Sequence, residues 1–171
     1  MDRRWTLAGS LVTLAAVSAG CGSSGSSSAS VPSATSATRS AALTTAVPRV
    51  STATVAGLGT VLVDGHGHTL YVFEPDEHAH VTCLSACAAV WPPLFAASGR
   101  PLASGAIQAS QLGSDPDPAG GRVVTYYGWP LYRYAGDSAP GTANGQAEDL
   151  NGGLWYAISP SGRVITSNPA G

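Results

Sequence analysis

The 171-residue sequence predicts a mainly β protein. Its fold is expected to be two pseudo-repeated antiparallel β units packed as one small domain, with one short helix near residues 83–91. Three observations lead there. From Gly57 onward, short alternating apolar runs are broken by Gly and Pro, the pattern of half-buried strands and turns. No run suits a long amphipathic helix. The third is a segment that recurs later in the chain at a constant offset.

The elements follow in order. Residues 59–63 and 69–73 are β-branched and aromatic, and Asp64-Gly65-His66-Gly67-His68 between them reads as a hairpin turn. Residues 83–91 contain Ala86, Ala88 and Ala89 and halt at Pro92-Pro93, as a short helix does. Residues 122–126 and 129–134 form a second strand pair around Tyr127-Gly128. A third is expected from residues 154–159 and 163–166, turning at Pro160-Ser161-Gly162.

The repeat is explicit. Gly67, Leu70, Tyr71 and Asp76 coincide with Gly128, Leu131, Tyr132 and Asp137, and Phe73 faces Tyr134. Leu62 and Val63 fall on Val123 and Val124 in the preceding strands, and Trp91 and Trp155 follow the two Asp residues. Two copies of one β unit then pack so that each covers the apolar face the other leaves open. Repeat 1 is read as about residues 57–98 and repeat 2 as about 118–166.

The first third of the chain has another texture. Met1-Asp2-Arg3-Arg4 is basic, residues 5–17 are mostly apolar, and Ser18-Ala19-Gly20 precede Cys21. Residues 1–20 therefore read as a secretory signal peptide, with an apolar stretch too short for a stop-transfer helix. A Cys directly after Ala-Gly is similar to the lipobox of bacterial lipoproteins, although Ser18 replaces the usual Leu. The resemblance implies a diacylglycerol-modified Cys21 as the mature N-terminus, anchored by its acyl chains (palmitate among them). Residues 21–56 are mainly Ser, Ala, Thr, Gly, Val and Pro without an aromatic, so they read as a disordered tether. As a flexible chain it would hold the domain, residues 57–171, about 30–35 Å from its anchor.

Charge narrows the partners. The net charge of −2, with every cation an Arg, argues against nucleic acid. Removing residues 1–20 leaves six Arg against nine acidic residues, so only the acyl chains would draw the chain to a membrane. Past residue 20, no apolar run approaches the roughly 18 residues that span a bilayer.

Tyr71-Val72-Phe73-Glu74-Pro75-Asp76 and Tyr132-Arg133-Tyr134-Ala135-Gly136-Asp137 both fit Y-x-[FWY]-x-x-D. With the stretch from Thr82 to Leu94, they make the chain resemble the bacterial lipoproteins described as secreted repeats of unknown function. The resemblance covers about residues 57–160. It implies an exported, envelope-facing repeat protein, and carries no biochemical activity over.

Three groups of residues carry candidate chemistry. On a strand, Tyr71 and Phe73 share one face and Leu70 and Val72 the other, as do Tyr132 and Tyr134 against Leu131 and Arg133. If the copies pack, these four rings form a cluster; the competing reading is an aromatic surface for a glycan, polyphenol or haem-like ligand. Asp76 and Asp137 fall where each strand ends, where a carboxylate can accept backbone N–H groups and set a turn.

Cys83 and Cys87 are the pair left once Cys21 is lipid-modified, and in an oxidising compartment they are expected to form a disulfide. All four histidines, His66, His68, His78 and His80, lie within 15 residues just ahead of them. H-x-H and C-x-x-x-C spacings both occur in Cu and Zn sites. C-x-x-x-C is also similar to copper-delivering thioredoxin-like proteins, whose alternating β/α pattern this chain lacks.

No G-x-S-x-G, H-E-x-x-H or P-loop appears. The leading expectation is a non-enzymatic, membrane-anchored lipoprotein at the outer face of the bacterial plasma membrane, displaying a β binding module for an unknown ligand without a cofactor. The alternative is an envelope Cu or Zn or redox protein using Cys83, Cys87 and the nearby histidines. An envelope-remodelling enzyme is a distant third.

Overall fold

A computed structural model describes residues 47–77, 80–96 and 99–167. The signal peptide, Cys21, most of the expected tether and His78 lie outside the described residues.

In chain order the strands are β1 (Arg49–Val55), β2 (Gly59–Asp64) and β3 (Tyr71–Phe73), followed by helix α1 (Ala86–Val90) and β4 (Leu102–Ala103). The second half carries β5 (Leu112–Pro116), β6 (Arg122–Tyr126), β7 (Trp129–Pro130), β8 (Glu148–Leu150) and β9 (Gly153–Ala157). They build three three-stranded sheets, ordered β2-β1-β4, β3-β9-β8 and β5-β6-β7. Every pairing is antiparallel except β1 with β4. The fold is mainly β with one short helix, as the sequence reading expects.

Two local expectations change. The first strand begins at Arg49, inside the segment read as tether, and its Val50 and Val55 are buried. Thr and Val at alternating positions favour a strand, and the lack of large side chains hid this one. The N-terminal edge of the ordered domain therefore lies before residue 57. Likewise β5 lies ahead of residue 118, so each repeat opens with a hairpin, β1-β2 or β5-β6.

The second change concerns β3. The turn after β2 closes as expected, with Leu70 N–H donating to the Leu62 carbonyl at 2.9 Å. Tyr71–Phe73 then leaves that hairpin and pairs with β9 instead, Tyr71 opposite Ala157 and Phe73 opposite Trp155. At the second repeat, Tyr127 and Gly128 have φ of 50° and 80°. Positive φ at both central residues is what a two-residue turn joining twisted strands requires.

The pairing of β3 with β9 has a counterpart. Residues 91–95 of repeat 1 lie antiparallel to residues 131–135 of repeat 2: Leu94 N–H donates to Leu131 and Arg133 N–H to Pro92. Each repeat thus lends its last extended segment to the other. The two copies are interlaced about an axis through Tyr71 and Tyr132, which bridge each other directly.

Strand alternation divides the interior in two. Leu70, Val72 and Leu131 pack with Val50, Leu62, Val124 and Ile158 in one cluster. Tyr71, Phe73 and Tyr132 pack with Cys83, Trp91 and Trp155 in the other. This is the face separation expected from period-2 geometry.

Candidate functional site

The repeated motif residues meet at the axis. Tyr71 N–H donates to the Tyr132 carbonyl at 2.8 Å, and Tyr132 N–H returns the bond to Tyr71 at 2.9 Å. Their side chains then cross. The Tyr71 hydroxyl donates to Asp137 Oδ2 at 2.7 Å, and the Tyr132 hydroxyl donates to Asp76 Oδ2 at 2.5 Å. Each tyrosine is held by the carboxylate of the other repeat.

The remaining oxygens set turns. Asp76 Oδ1 accepts the Thr82 N–H at 2.9 Å and the Thr82 hydroxyl at 2.6 Å. Asp137 Oδ1 accepts the Asn144 N–H at 2.8 Å, and Gly145 N–H donates to the Tyr71 hydroxyl at 3.3 Å. Both tyrosines and both carboxylates are buried. Burial raises the pKa of both hydroxyls, and the facing carboxylates raise them further, so the tyrosines stay protonated donors. Burial also lifts Asp76 above its ordinary 3.8, opposed by the bonds from Thr82 and Tyr132 and by the nearby His80.

The aromatic rings extend the same symmetry. Phe73, Trp155, Trp91 and Tyr134 stack in that order, with centroids 4.2, 3.9 and 4.3 Å apart. The rings alternate between repeats. Tyr71 meets Trp91 edge-on at 5.5 Å and Tyr132 meets Trp155 edge-on at 5.2 Å. Each such contact adds about 0.5–1.5 kcal/mol beyond burial. Tyr71 and Tyr132 are completely enclosed, so they form core and present no aromatic surface to a ligand.

The Tyr–Asp exchange is the feature that linear reading misses, because it expects each Asp to serve its own turn. A signal was present. A buried phenol needs a hydrogen-bond partner, and Tyr and Asp recur at the same spacing in both copies.

Cys83 and Cys87 form a disulfide with Cα atoms 5.2 Å apart, pinning the entry to α1. Bonded to each other, the sulfurs offer no thiolate to a metal. His66 and His80 are exposed and His68 is half-buried. Among the described residues, no three His, Cys, Asp or Glu side chains stand together as metal ligands. No helix among them is long and apolar enough to cross a membrane.

A family model described as a secreted repeat of unknown function matches the chain twice, over residues 52–95 and 115–159. The chain belongs to this family. Each match contains one of the two Tyr–Asp segments and most of one interlaced repeat, and membership makes this secreted-repeat protein an exported one. No curated protein and no solved structure matches it.

Proposed function

We propose that this secreted-repeat protein is a lipoprotein of the bacterial cell envelope. An acyl-modified Cys21 anchors it to the outer face of the plasma membrane, and the two-repeat domain serves there as a non-enzymatic binding module. One observation carries the non-enzymatic part of this reading. The hydroxyls and carboxylates of the repeated motif are buried and satisfied by one another, so they act as the clasp of a scaffold. Signal-peptide patterning up to Gly20, and Cys21 directly after Ala-Gly, support the anchor. Two or three acyl chains, at about 0.8 kcal/mol per buried CH₂, suffice for stable attachment without basic residues.

Detergent phase partitioning of cells expressing wild type and Cys21→Ala tests the anchor. Wild type is expected in the detergent phase and Cys21→Ala in the aqueous phase or the medium. Equal membrane retention of both proteins would overturn it.

A further inference from the structure

We propose that the cleft where β1 begins is a binding site for a hydroxylated ring carboxylate of the hexuronic acid type. The assignment rests on reading the domain as a binding module, and it names the ligand class.

The cleft encloses about 370 Å³ and is lined by Arg49, Asp64, His66, Phe95 and Arg133, with Val47 at its rim. That volume lies within the range of small-molecule sites. Phe95 is 50% exposed and Val47 37%, two of the four large hydrophobic residues left exposed among the described residues.

The polar groups are unusual in what they leave open. The Asp64 side chain is only 2% exposed. Its Oδ1 accepts the N–H groups of His66 at 2.8 Å and His68 at 3.0 Å, which shape the turn after β2. Its Oδ2 is buried and accepts no hydrogen bond. The nearest side-chain nitrogens, Arg133 Nη1 at 3.7 Å and His66 Nδ1 at 3.8 Å, stand beyond hydrogen-bond reach. Arg133 Nε is also buried without an acceptor. A buried acceptor and a buried donor without partners beside one cleft are costly to a scaffold, and a ligand that reached them would relieve that cost.

The repeat supplies a second argument. The Leu, Tyr, Asp and Trp residues of the clasp and of the stack around it occur in both copies. Asp64 and Arg133 do not, because the equivalent positions are Thr125 and Val72. A larger cleft of about 450 Å³, lined by Ser159, Arg163 and Thr166, has no such open buried atom.

The ligand class follows from complementarity. Two guanidiniums against one carboxylate leave room for one anionic group, and a carboxylate matches the planar guanidinium fork. Asp64 Oδ2 requires a donor, which a ring hydroxyl supplies. The negative face of the Phe95 ring suits the C–H face of a saturated ring. An acidic sugar carries all three groups on one ring.

Calorimetric titration of the purified full-length protein in detergent tests this, with glucuronate, glucose and cyclohexanecarboxylate as probes. One saturable site is expected for glucuronate, at least tenfold tighter than for either other compound. Arg133→Gln and Asp64→Asn are each expected to weaken it tenfold or more. Phe95→Ala should weaken it several-fold while leaving thermal unfolding unchanged, which separates binding from folding. No saturable glucuronate binding would overturn the proposal. So would equal binding of glucose, which discards the guanidiniums, or of cyclohexanecarboxylate, which discards Asp64. Cys21→Ala should bind glucuronate like wild type, so the outcome here is independent of the outcome for the anchor.

Discussion

Replacing Tyr132 by Phe removes one hydroxyl and keeps the ring against Trp155. What is lost is the donor to Asp76 Oδ2, a 2.5 Å bond in a fully buried setting. A hydrogen bond to a charged acceptor contributes about 1.5–3 kcal/mol, and the abandoned oxygen has no water to turn to. At pH 7 the expected loss is about 2–3 kcal/mol, lowering Tm by roughly 10 °C in a domain of this size.

The pH dependence has a definite sign. The Asp76 pKa is raised in the folded state, first by burial, so the folded protein holds its proton more tightly than the unfolded chain. That contribution to stability is complete below the ordinary 3.8 and is lost as pH rises through the folded pKa. Tyr132 opposes the shift by stabilising the carboxylate. Without it the folded pKa climbs further, and the variant loses more stability on the way to neutrality. Tyr132→Phe should therefore cost more at pH 7 than at pH 4, because protonation of Asp76 turns the charged acceptor into a neutral one. Urea unfolding followed by Trp fluorescence at both pH values, with Asp76→Asn and the double variant completing a cycle, measures the pair. A cost under about 0.5 kcal/mol at pH 7, or a larger cost at pH 4, would refute the clasp.

Trp155→Ala removes an inner ring of the four-ring stack and should cost about 3–5 kcal/mol, read from the same denaturation curves. Gly145→Ala would place a methyl group 2.7 Å from the Trp91 ring, which Trp155 and Tyr134 hold in place, so a loss of about 1–3 kcal/mol is expected. Reducing the Cys83–Cys87 disulfide, or replacing both residues with Ser, opens a loop of sequence separation 4 and should cost about 2 kcal/mol without unfolding the domain at 25 °C. Because the repeats exchange strands, a chain ending at residue 104 should show no cooperative unfolding transition by calorimetry. Repeat 1 alone giving a sharp transition would contradict the interlacing.

Much of this molecule is legible along the chain. The β class, the two copies, the stop of α1 before Pro92 and the placing of Tyr71 and Phe73 on one strand face with Leu70 and Val72 on the other all follow from spacing over a few residues. The disulfide is legible too, since Cys83 and Cys87 are close in any compact local conformation. β1 is not legible along the chain because small β-branched residues look alike in a strand and a tether until something buries Val50 and Val55.

Pairings across long separations are different in kind. Tyr132 reaches back 56 residues to Asp76, and Tyr71 reaches forward 66 to Asp137. Local patterning is the same whether each Tyr meets its own Asp or the other copy's, and whether β3 stays with β2 or joins β9. The choice comes from packing. The interlaced arrangement stacks Trp91 on Trp155 and encloses both clasps, and the same crossing brings Arg133 of one repeat beside Asp64 of the other.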